Sequence, residues 1–375
     1  MTETRGKSEI LRQRLVELTR DLILIPSTRD RPEEIDRCLE FVVNHAELPE
    51  AVTVERYREE GSPSAVILPR HVSIPEVMLF AHVDVVPRPD GTEYRSTVGD
   101  GRIYGPGSGD MKGELAILLE IFRDFHERHP AISLGMAVTS DEETGGKHGT
   151  QFLFEKAGVR CGVAILPDSG TINEIAVEEK GILHLKLQAH GSSGHASRPW
   201  LADNPMERMV LALNQVKNYF ETLKDGDEHW HPTFAMTTLH TENRVANRIP
   251  SFAEAVCDIR FPPPYTSEQM ISAVKKFTDN RMVFEVLVSA EPTKISPDPL
   301  FLVATEEITG KPVKLIREHG GSDARFICRY GIPVIMSRPF VGNLHAENEW
   351  IDIASMETLY RIYERYLEKK LVRAY

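Results

Sequence analysis

Short apolar runs alternate with amphipathic stretches through the first half of the chain. The opening residues predict a helix, because Ile10, Leu11, Leu15, Leu18 and Leu22 recur at roughly helical spacing. Beyond them, the predicted strands are SAVILP, EVMLFAHVDVV, ISLGMAV and CGVAILP, and the predicted helices are ELAILLEIFRDFHER and TQFLFEKAG. Apolar strands separated by helices predict an α/β fold with a mostly parallel sheet flanked by helices on both faces.

The pattern changes near residue 180. GILHLKLQAHG and SFAEAVCDIRFPP alternate apolar and polar positions, as half-exposed antiparallel strands do. Helix-like stretches accompany them, namely NPMERMVLALNQVKNYFETL and SEQMISAVKKFTD. The parallel pattern returns near residue 291 with the helix DPLFLVATEEITG and the strands VKLIRE and PVIMSRP. We therefore expect a main domain over residues 1–179 and 291–375, interrupted by an α+β insertion over residues 180–290.

Chain length, net charge and cysteine content limit the classes of protein to which this chain can belong. The chain has 375 residues, which suggests two domains, and a net charge of −12, which argues against a nucleic-acid partner because phosphate binding needs a basic surface. Its four cysteines are scattered without a CxxC pair, so we expect reduced thiols. The start lacks the apolar stretch of a signal peptide, and no segment approaches a membrane span of about 20 apolar residues. The sequence predicts a cytoplasmic protein with no membrane partner.

Polar residues that could ligate a metal ion or act in catalysis follow the predicted strands. Binding sites of parallel sheets lie at the carboxyl ends of the strands. His82 and Asp84 end one apolar run, and residues two apart share a face, so the carboxylate can orient the imidazole. Asp110 leaves a glycine-rich loop at the start of a helix. Each has a simpler interpretation, because a strand-end histidine is often structural and aspartate is a favoured helix cap.

Three further segments extend this pattern. TSDEETGG supplies Glu142 and Glu143 beside Asp141, ILPDSG supplies Asp168, and GNLHAENEW supplies His345. Alone, these are typical of a solvated turn, a turn-forming aspartate and an exposed histidine. In order, however, His, Asp, Glu-Glu, Asp and a late His predict a two-metal site. Zinc prefers such nitrogen and oxygen ligands, and cobalt or manganese would also suit them.

Seven motifs together resemble the dinuclear-zinc deacylase and exopeptidase superfamily. Its members include acetylornithine deacetylase, succinyl-diaminopimelate desuccinylase, aminoacylases and bacterial glutamate carboxypeptidase. The match runs in order through nearly the whole chain. The motifs are HVDVVP, GPGSGDMKG, SDEETGG, PDSG, GSSGHAS, GGSDARF and GNLHAENE.

The resemblance implies two divalent metal ions per subunit, with zinc favoured. His82 and Asp168 would hold one ion, and Asp110 would bridge both. Glu143 and His345 would complete the second ion's ligands.

The same resemblance assigns roles to the neighbours of these ligands. Asp84 would lie behind His82, and Glu142 would be the general base that takes a proton from a metal-bridged water and later gives it to the leaving amine. Asp141 has no family role and is interpreted as a turn residue. The resemblance also implies a cis peptide bond between Asp110 and Met111.

The insertion resembles the family's lid and dimerisation domain. His195 matches a histidine that reaches the active site of the partner subunit in a homodimer and steadies the developing oxyanion. Asn247 and Arg260 match residues near the substrate, and Arg260 would grip a substrate carboxylate.

Gly320, Gly321 and Ser322 would line the substrate pocket. Relatives often have threonine where this chain has Gly321, so the resemblance does not extend to the details of acyl-group recognition at this position.

Four other histidines have no acidic partner at ligand spacing and are predicted to be surface residues. They are His126, His129, His229 and His231.

The resemblance implies a metal-dependent amidohydrolase of N-acyl amino acids, with acetyl or succinyl as the favoured acyl group. A dipeptidase or carboxypeptidase of the same family is the alternative. A catalytically silent relative is a third possibility, but it would lack Glu142 or a ligand, and none is missing.

Overall fold

The computed structural model describes residues 2–48, 50–89, 93–226, 229–278 and 280–372. Across these ranges the helices are α1 Thr2–Ile23, α2 Pro32–Ala46, α3 Gly113–Arg128, α4 Thr150–Glu155, α5 Pro205–Thr222, α6 Ser267–Lys276, α7 Pro299–Thr309, α8 Ala324–Cys328 and α9 Ile353–Leu371.

The strands alternate with these helices. They are β1 Val52–Glu59, β2 Ser62–Pro69, β3 Val77–His82, β4 Thr97–Gly99, β5 Arg102–Tyr104, β6 Leu134–Thr139, β7 Val163–Ile165, β8 Glu174–Glu179, β9 Gly181–His190, β10 Gly194–His195, β11 Thr233–His240, β12 Arg248–Ile249, β13 Phe252–Phe261, β14 Met282–Ala290, β15 Thr293–Lys294, β16 Lys314–Glu318, β17 Val334–Ile335, β18 Val341–Gly342 and β19 Trp350–Asp352.

The chain divides into two units. Unit 1 comprises residues 1–177, 294–317 and 322–375, and unit 2 comprises residues 178–293 and 318–321. The short segment 318–321 therefore groups with the insertion, although it lies more than twenty residues beyond the expected boundary at 290.

A six-stranded sheet organises unit 1, with the order β1-β2-β6-β3-β7-β17. The strands β6, β3, β7 and β17 run parallel, whereas β1 and β2 form an antiparallel edge. This confirms the predicted α/β class with a mostly parallel sheet, which also has an antiparallel edge. The two edge strands can run antiparallel because a tight turn at Glu60 and Gly61 joins them directly, without a crossover helix.

Both faces of this sheet are covered, which is why β3 is buried along its whole length. Leu79 and Ala81 point into a core shared with α1, α2, α3 and α9. Met78 and Phe80 point into a second core with Leu153 of α4. Alternate residues of one strand thus enter opposite cores, and the strand reads as a continuous apolar run.

Unit 2 contains an antiparallel sheet of order β11-β13-β9-β14. The central strand β13 alternates buried and half-buried positions, as the sequence predicted. The helices α5 and α6 contribute Met209, Val216 and Val274 to its core. A separate two-residue ladder pairs β10 with β12.

Two of the histidines predicted to lie at the surface are buried, so that prediction is wrong for them. His126 is 1% exposed, with its Nε2 atom 2.9 Å from the Leu134 carbonyl oxygen. His231 is 5% exposed, with Nδ1 3.0 Å from the Pro232 carbonyl oxygen. In both residues one ring nitrogen pairs with a backbone carbonyl oxygen. The sequence pattern does not reveal such a contact.

None of the helices in the described ranges is long and apolar enough to cross a membrane.

Candidate active site

Two neighbouring parallel strands deliver the first candidate residues. β3 and β6 pair in parallel so that His82 lies opposite Thr139, and the Val83 N–H donates to the Thr139 carbonyl at 2.9 Å. The HVD segment and the SDEE turn therefore leave the same edge of the sheet side by side. This is the strand-end arrangement that the sequence predicted.

Asp84 connects these two segments. Its carboxylate accepts the backbone N–H of Glu142 at 3.3 Å and that of Glu143 at 3.0 Å. The Nδ1 atom of His82 lies 3.0 Å from the Asp84 carbonyl oxygen and 3.5 Å from its Oδ1 atom. Asp84 thus orients a ring that is only 1% exposed and also fixes the turn that carries both glutamates.

Asp110 lies between two histidines. Its Oδ1 atom is 3.3 Å from His82 Nε2, and its Oδ2 atom is 3.1 Å from His345 Nε2. The same His345 nitrogen is 3.1 Å from Glu143 Oε1. The Asp110–Met111 peptide bond is cis, as the resemblance implies.

Glycines let the loop before Asp110 pack tightly. Gly107 has a φ of +75°, and a Cβ atom there would lie 2.5 Å from Val85 Cγ1. A Cβ atom at Gly109 would lie 2.8 Å from Val341 Cβ. The glycine-rich composition of this segment therefore follows from the close approach of neighbouring chains.

Among the described residues, six potential ligands form two groups whose donor atoms lie within 4.8 Å of one another. One group is His82, Glu142 and Asp168, and the other is Asp110, Glu143 and His345. The structure thus brings together every residue predicted to hold metal. It also brings Glu142, predicted as the base, within ligand distance of the first group.

The site has the features expected of a metal centre. His82 Nε2 is buried and has no hydrogen-bond partner among the described atoms, although Asp110 lies 3.3 Å away. A buried nitrogen of this kind, surrounded by carboxylate oxygens, is the environment of an imidazole that ligates a cation. The donor set of nitrogen and oxygen atoms therefore fits zinc or a similar divalent ion.

Burial and proximity shift the protonation of these groups. Burial and repulsion from Asp168 raise the pKa of Glu142 well above its ordinary value. Hydrogen bonds to Asp110 and Glu143 raise the pKa of His345 to about 10. Although burial opposes it, the hydrogen bond from His345 and the nearby charge of His82 keep the pKa of Asp110 below its usual range. Crowded carboxylates with partner cations are characteristic of functional sites.

The interpretation of Asp141 as a turn residue is confirmed and extended. Its carbonyl accepts the N–H of Gly146 at 2.7 Å, and its carboxylate accepts the N–H of His148 at 2.7 Å. Asp141 is only 4% exposed, and burial with repulsion from Asp323 raises its pKa to about 7. A buried carboxyl group, that of Asp141, therefore fixes the SDEE turn through its hydrogen bond to the backbone.

In unit 2, His195 of β10 lies beside the turn that carries Asn247, directly before β12. The Ala196 N–H donates to the Asn247 carbonyl at 2.9 Å. His195 is exposed, and its Nδ1 atom accepts the Ser197 N–H at 3.1 Å and lies 2.8 Å from Ser197 Oγ. Because Nδ1 accepts, the neutral ring carries its hydrogen on Nε2.

The guanidinium of Arg260 already has a carboxylate partner. Its Nε and Nη2 atoms donate to the two oxygens of Asp258 at 2.7 and 3.0 Å, in a bidentate pair. His184 Nε2 lies 3.2 Å from the same carboxylate. A substrate carboxylate would therefore have to share Arg260 with Asp258, a constraint that the sequence did not predict.

The GGS segment has two different environments. A Cβ atom at Gly321 would lie 2.8 Å from Ile182 Cδ1, so a threonine there would displace Ile182. Ser322 is 4% exposed, and its hydroxyl oxygen accepts the Ala324 N–H at 3.2 Å. Much of its hydrogen-bonding capacity is thus used at the start of α8, whereas Gly320 has an open surrounding.

Sequence reasoning did not single out Glu349 or Arg88, which form a buried ion pair beside the loops that carry Asp110 and His345. A signal was present, since Glu349 lies within the same GNLHAENE motif as His345.

Comparison with known proteins gives consistent matches. The model of "Peptidase family M20/M25/M40" matches residues 78–369. A succinyl-diaminopimelate desuccinylase of Coxiella burnetii is 30% identical over 315 residues, covering 78% of this chain and 84% of the relative.

Solved structures share the fold at low sequence identity. A tripeptidase from Staphylococcus aureus has a TM-score of 0.77 at 19% identity, covering 96% of this chain and 98% of that one. A metallo-carboxypeptidase from Sulfolobus solfataricus has a TM-score of 0.77 at 15% identity, covering 94% and 98%.

Proposed function

Because the chain belongs to peptidase family M20/M25/M40 and is a metal-dependent hydrolase of amide bonds, we propose that it removes the acyl group from an N-acyl amino acid. Acetyl and succinyl are the favoured acyl groups. The observation that carries the proposal is the position of Asp110, whose two carboxylate oxygens face His82 and His345 separately. A carboxylate shared in this way suits a bridge between two cations.

The proposed ligands follow from this geometry. His82 and Asp168 would hold one divalent ion, Glu143 and His345 would hold the other, and Asp110 would contribute to both. Zinc is the favoured metal, with cobalt or manganese as alternatives. When bound, such ions polarise the scissile carbonyl and make water acidic enough to attack it.

Glu142 is the proposed general base and acid. Its carboxylate accepts a proton from the attacking water and then donates that proton to the nitrogen of the departing amine. A raised pKa suits the first step, because it makes the carboxylate a stronger proton acceptor than an ordinary glutamate. Asp84 supports this role by holding the backbone N–H of Glu142 at 3.3 Å.

His195 is the proposed donor to the oxyanion that forms on the attacked carbonyl. Ser197 occupies its Nδ1 atom, so the hydrogen lies on Nε2 and can be donated outward from an exposed ring. In the proposed homodimer this ring serves the active site of the partner subunit. Asn247 and Arg260 are proposed to contact substrate, with Gly321 and Ser322 at the acyl side.

Similarity to a desuccinylase supports an acyl-amino acid as substrate. The alternative is a dipeptidase or carboxypeptidase, since an aminoacyl group is also an acyl group at the scissile bond. A small-molecule substrate, a homodimeric state and a cytoplasmic location complete the proposal. The free and buried thiols of Cys38, Cys161 and Cys257 support a reducing compartment.

The deciding experiment measures amine release from N-acetyl, N-succinyl and N-aminoacyl amino acids, with zinc or cobalt supplied. The Glu142→Ala protein, assayed at equal metal content, is the control. Preference for one acyl group, abolished in the control, would support the proposal and fix the subclass. Preference for the aminoacyl compounds would select the peptidase alternative, and silence across the panel would contradict both.

A further inference from the structure

Glu349 is a buried carboxylate that touches the loop of a different proposed ligand. It is 2% exposed and lies four residues after His345. Its Oε2 atom accepts the Gly107 N–H at 3.1 Å, and its Oε1 atom accepts the Gly109 N–H at 3.1 Å. The Glu349 carbonyl accepts the Gly105 N–H at 3.0 Å. Three backbone amides of the loop that ends at Asp110 therefore depend on this one residue.

Arg88 completes the arrangement from the other side. One of its guanidinium nitrogens, Nη2, donates to Glu349 Oε2, and the other, Nη1, donates to the Ala346 carbonyl at 2.9 Å. Ala346 directly follows His345. The planar guanidinium thus reaches the loop of His345 and the carboxylate that holds the loop of Asp110. Arg88 itself follows the HVD segment by four residues.

Every hydrogen bond in this arrangement runs between loops that carry proposed ligands. The amides of Gly105 and Gly107 lie in the loop after β5, and that of Gly109 lies in the first turn of the short π-helix Ser108–Lys112, where a helix supplies no acceptor of its own. The two carboxylate oxygens of Glu349 accept from Gly107, Gly109 and Arg88. A glutamine there would offer one acceptor oxygen, and its NH2 group would face a backbone or guanidinium donor.

We propose that the pair of Glu349 and Arg88 is a positioning device that holds Asp110 and His345 at the separation required for metal binding. The inference rests on the proposed ligands Asp110 and His345. Neither member of the pair is assigned a contact with substrate, so each acts through the ligand loops. The pair should therefore control metal affinity more than the overall stability of the fold.

The test is a titration of the metal-free protein with Co²⁺ alone, followed by calorimetry and by the visible spectrum of the bound ion. Glu349→Gln should weaken Co²⁺ binding by about 10- to 100-fold and alter the spectrum, as loss of a group that orients ligands does. Glu357→Gln is the matched control. Glu357 is also a buried glutamate paired with an arginine, Arg12, but it lies on α9 and bonds to α1.

A second pair of variants keeps the test decisive if Glu349→Gln folds poorly. Arg88→Met should weaken Co²⁺ binding, and Arg88→Lys should restore part of the affinity, because lysine can pair with Glu349 but cannot also span to Ala346. Thermal unfolding of the metal-free proteins supplies the stability readout. The unfolding temperature should change by a similar amount in Glu349→Gln and Glu357→Gln. The Co²⁺ affinity should fall only in Glu349→Gln.

Either of two results would overturn the inference. One is unchanged Co²⁺ affinity in both Glu349→Gln and Arg88→Met, and the other is an equal loss of affinity in Glu357→Gln. A wild-type protein that binds no Co²⁺ would remove the proposed ligands as well. A wild-type protein that binds Co²⁺ but hydrolyses none of the acyl compounds would remove only the proposed function.

Discussion

Apart from the exposed His345, the candidate ligands of unit 1 are held differently from the candidate residues of unit 2. In unit 1 the side chain of His82 is 1% exposed and that of Asp110 is 13% exposed, and each faces another candidate ligand. In unit 2 His195 is exposed, and the side chain of Arg260 is 28% exposed. Each of these two is held by a residue two positions away, Ser197 or Asp258.

This difference indicates how much each unit can contribute. Charges that are removed from water interact strongly and shift one another's pKa values, as Glu142 and Asp110 do. Exposed groups act through single hydrogen bonds that compete with solvent. We therefore expect substitutions in the buried cluster to abolish the reaction and substitutions in unit 2 to modulate it.

The largest effect should follow from Glu142→Ala. Loss of the group that moves the proton should lower kcat by about 10²- to 10⁴-fold while both metal ions stay bound. Glu143→Ala should instead lose one metal ion first, because Glu143 is a proposed ligand. Kinetics and elemental analysis of the two purified variants would measure this, and equal metal loss in both would remove the assignment of Glu142 as base.

The next effect concerns His195, the exposed counterpart of this cluster. His195→Ala should lower kcat by about 10²- to 10³-fold without changing metal content, because one donor to the oxyanion is lost. Ser197→Ala should have a smaller effect of the same kind, because it removes the hydroxyl 2.8 Å from Nδ1 but keeps the backbone N–H that also donates to Nδ1.

A steady-state comparison of the wild type and these two variants supplies the measurement. An unchanged kcat in His195→Ala would show that His195 makes no contribution to the transition state. The catalytic groups would then lie in unit 1 alone.

Arg260 offers a milder test of the contrast. Arg260→Lys should raise KM by about tenfold for substrates with a free α-carboxylate and leave kcat little changed, because lysine lacks the planar fork. Substrates whose α-carboxylate is amidated should show no difference between variant and wild type. An equal rise in KM for both substrates would mean that Arg260 serves only to pair with Asp258.

The smallest expected effect concerns His126, whose burial affects the stability of the fold and not catalysis. Burial lowers the pKa of His126 below its ordinary value of 6.5, although its hydrogen bond to Leu134 opposes this. Below pH 6.5 the unfolded chain binds a proton that the folded chain does not. The contribution of the neutral His126 to the free energy of unfolding is therefore fully present above pH 6.5 and is lost as the pH falls.

Urea unfolding of wild type and His126→Gln, near pH 7.5 and near pH 5.5, would measure this. The wild type should lose about 1 kcal/mol more than the variant over this interval, and shared effects of the metal ligands cancel in the difference. Equal losses in the two proteins would show that the buried ring accepts a proton in the folded state.

Much of the fold follows from local patterns. The predicted strands before the insertion, and the helices α3, α5, α6 and α7, are confirmed because their apolar periodicity is strong. VKLIRE does form the strand β16, but it pairs in a separate sheet with β8 and β15 and not in the parallel sheet. Helix α2 was not predicted, although Cys38, Leu39, Val42 and Val43 form a buried helical face. Strand β11 was not predicted because it exposes four consecutive residues and lacks alternation.

The sequence by itself determined the chemistry that this protein can perform. The order of His82, Asp110, Glu143, Asp168 and His345 is a property of the chain, and it indicated a pair of metal ions before any geometry was known. Resemblance added the role of Glu142. Both inferences depend on residue type and order, which the sequence displays directly.

Only the tertiary structure decided which groups hold these residues in place. The carboxylate of Glu349 meets amides that lie about 240 residues earlier in the chain, and His184 of β9 lies 3.2 Å from the Asp258 carboxylate that pairs with Arg260 of β13. His126 is buried because α3 packs against the end of β6. Contacts of this kind arise when distant segments pack together, so no local period or motif encodes them.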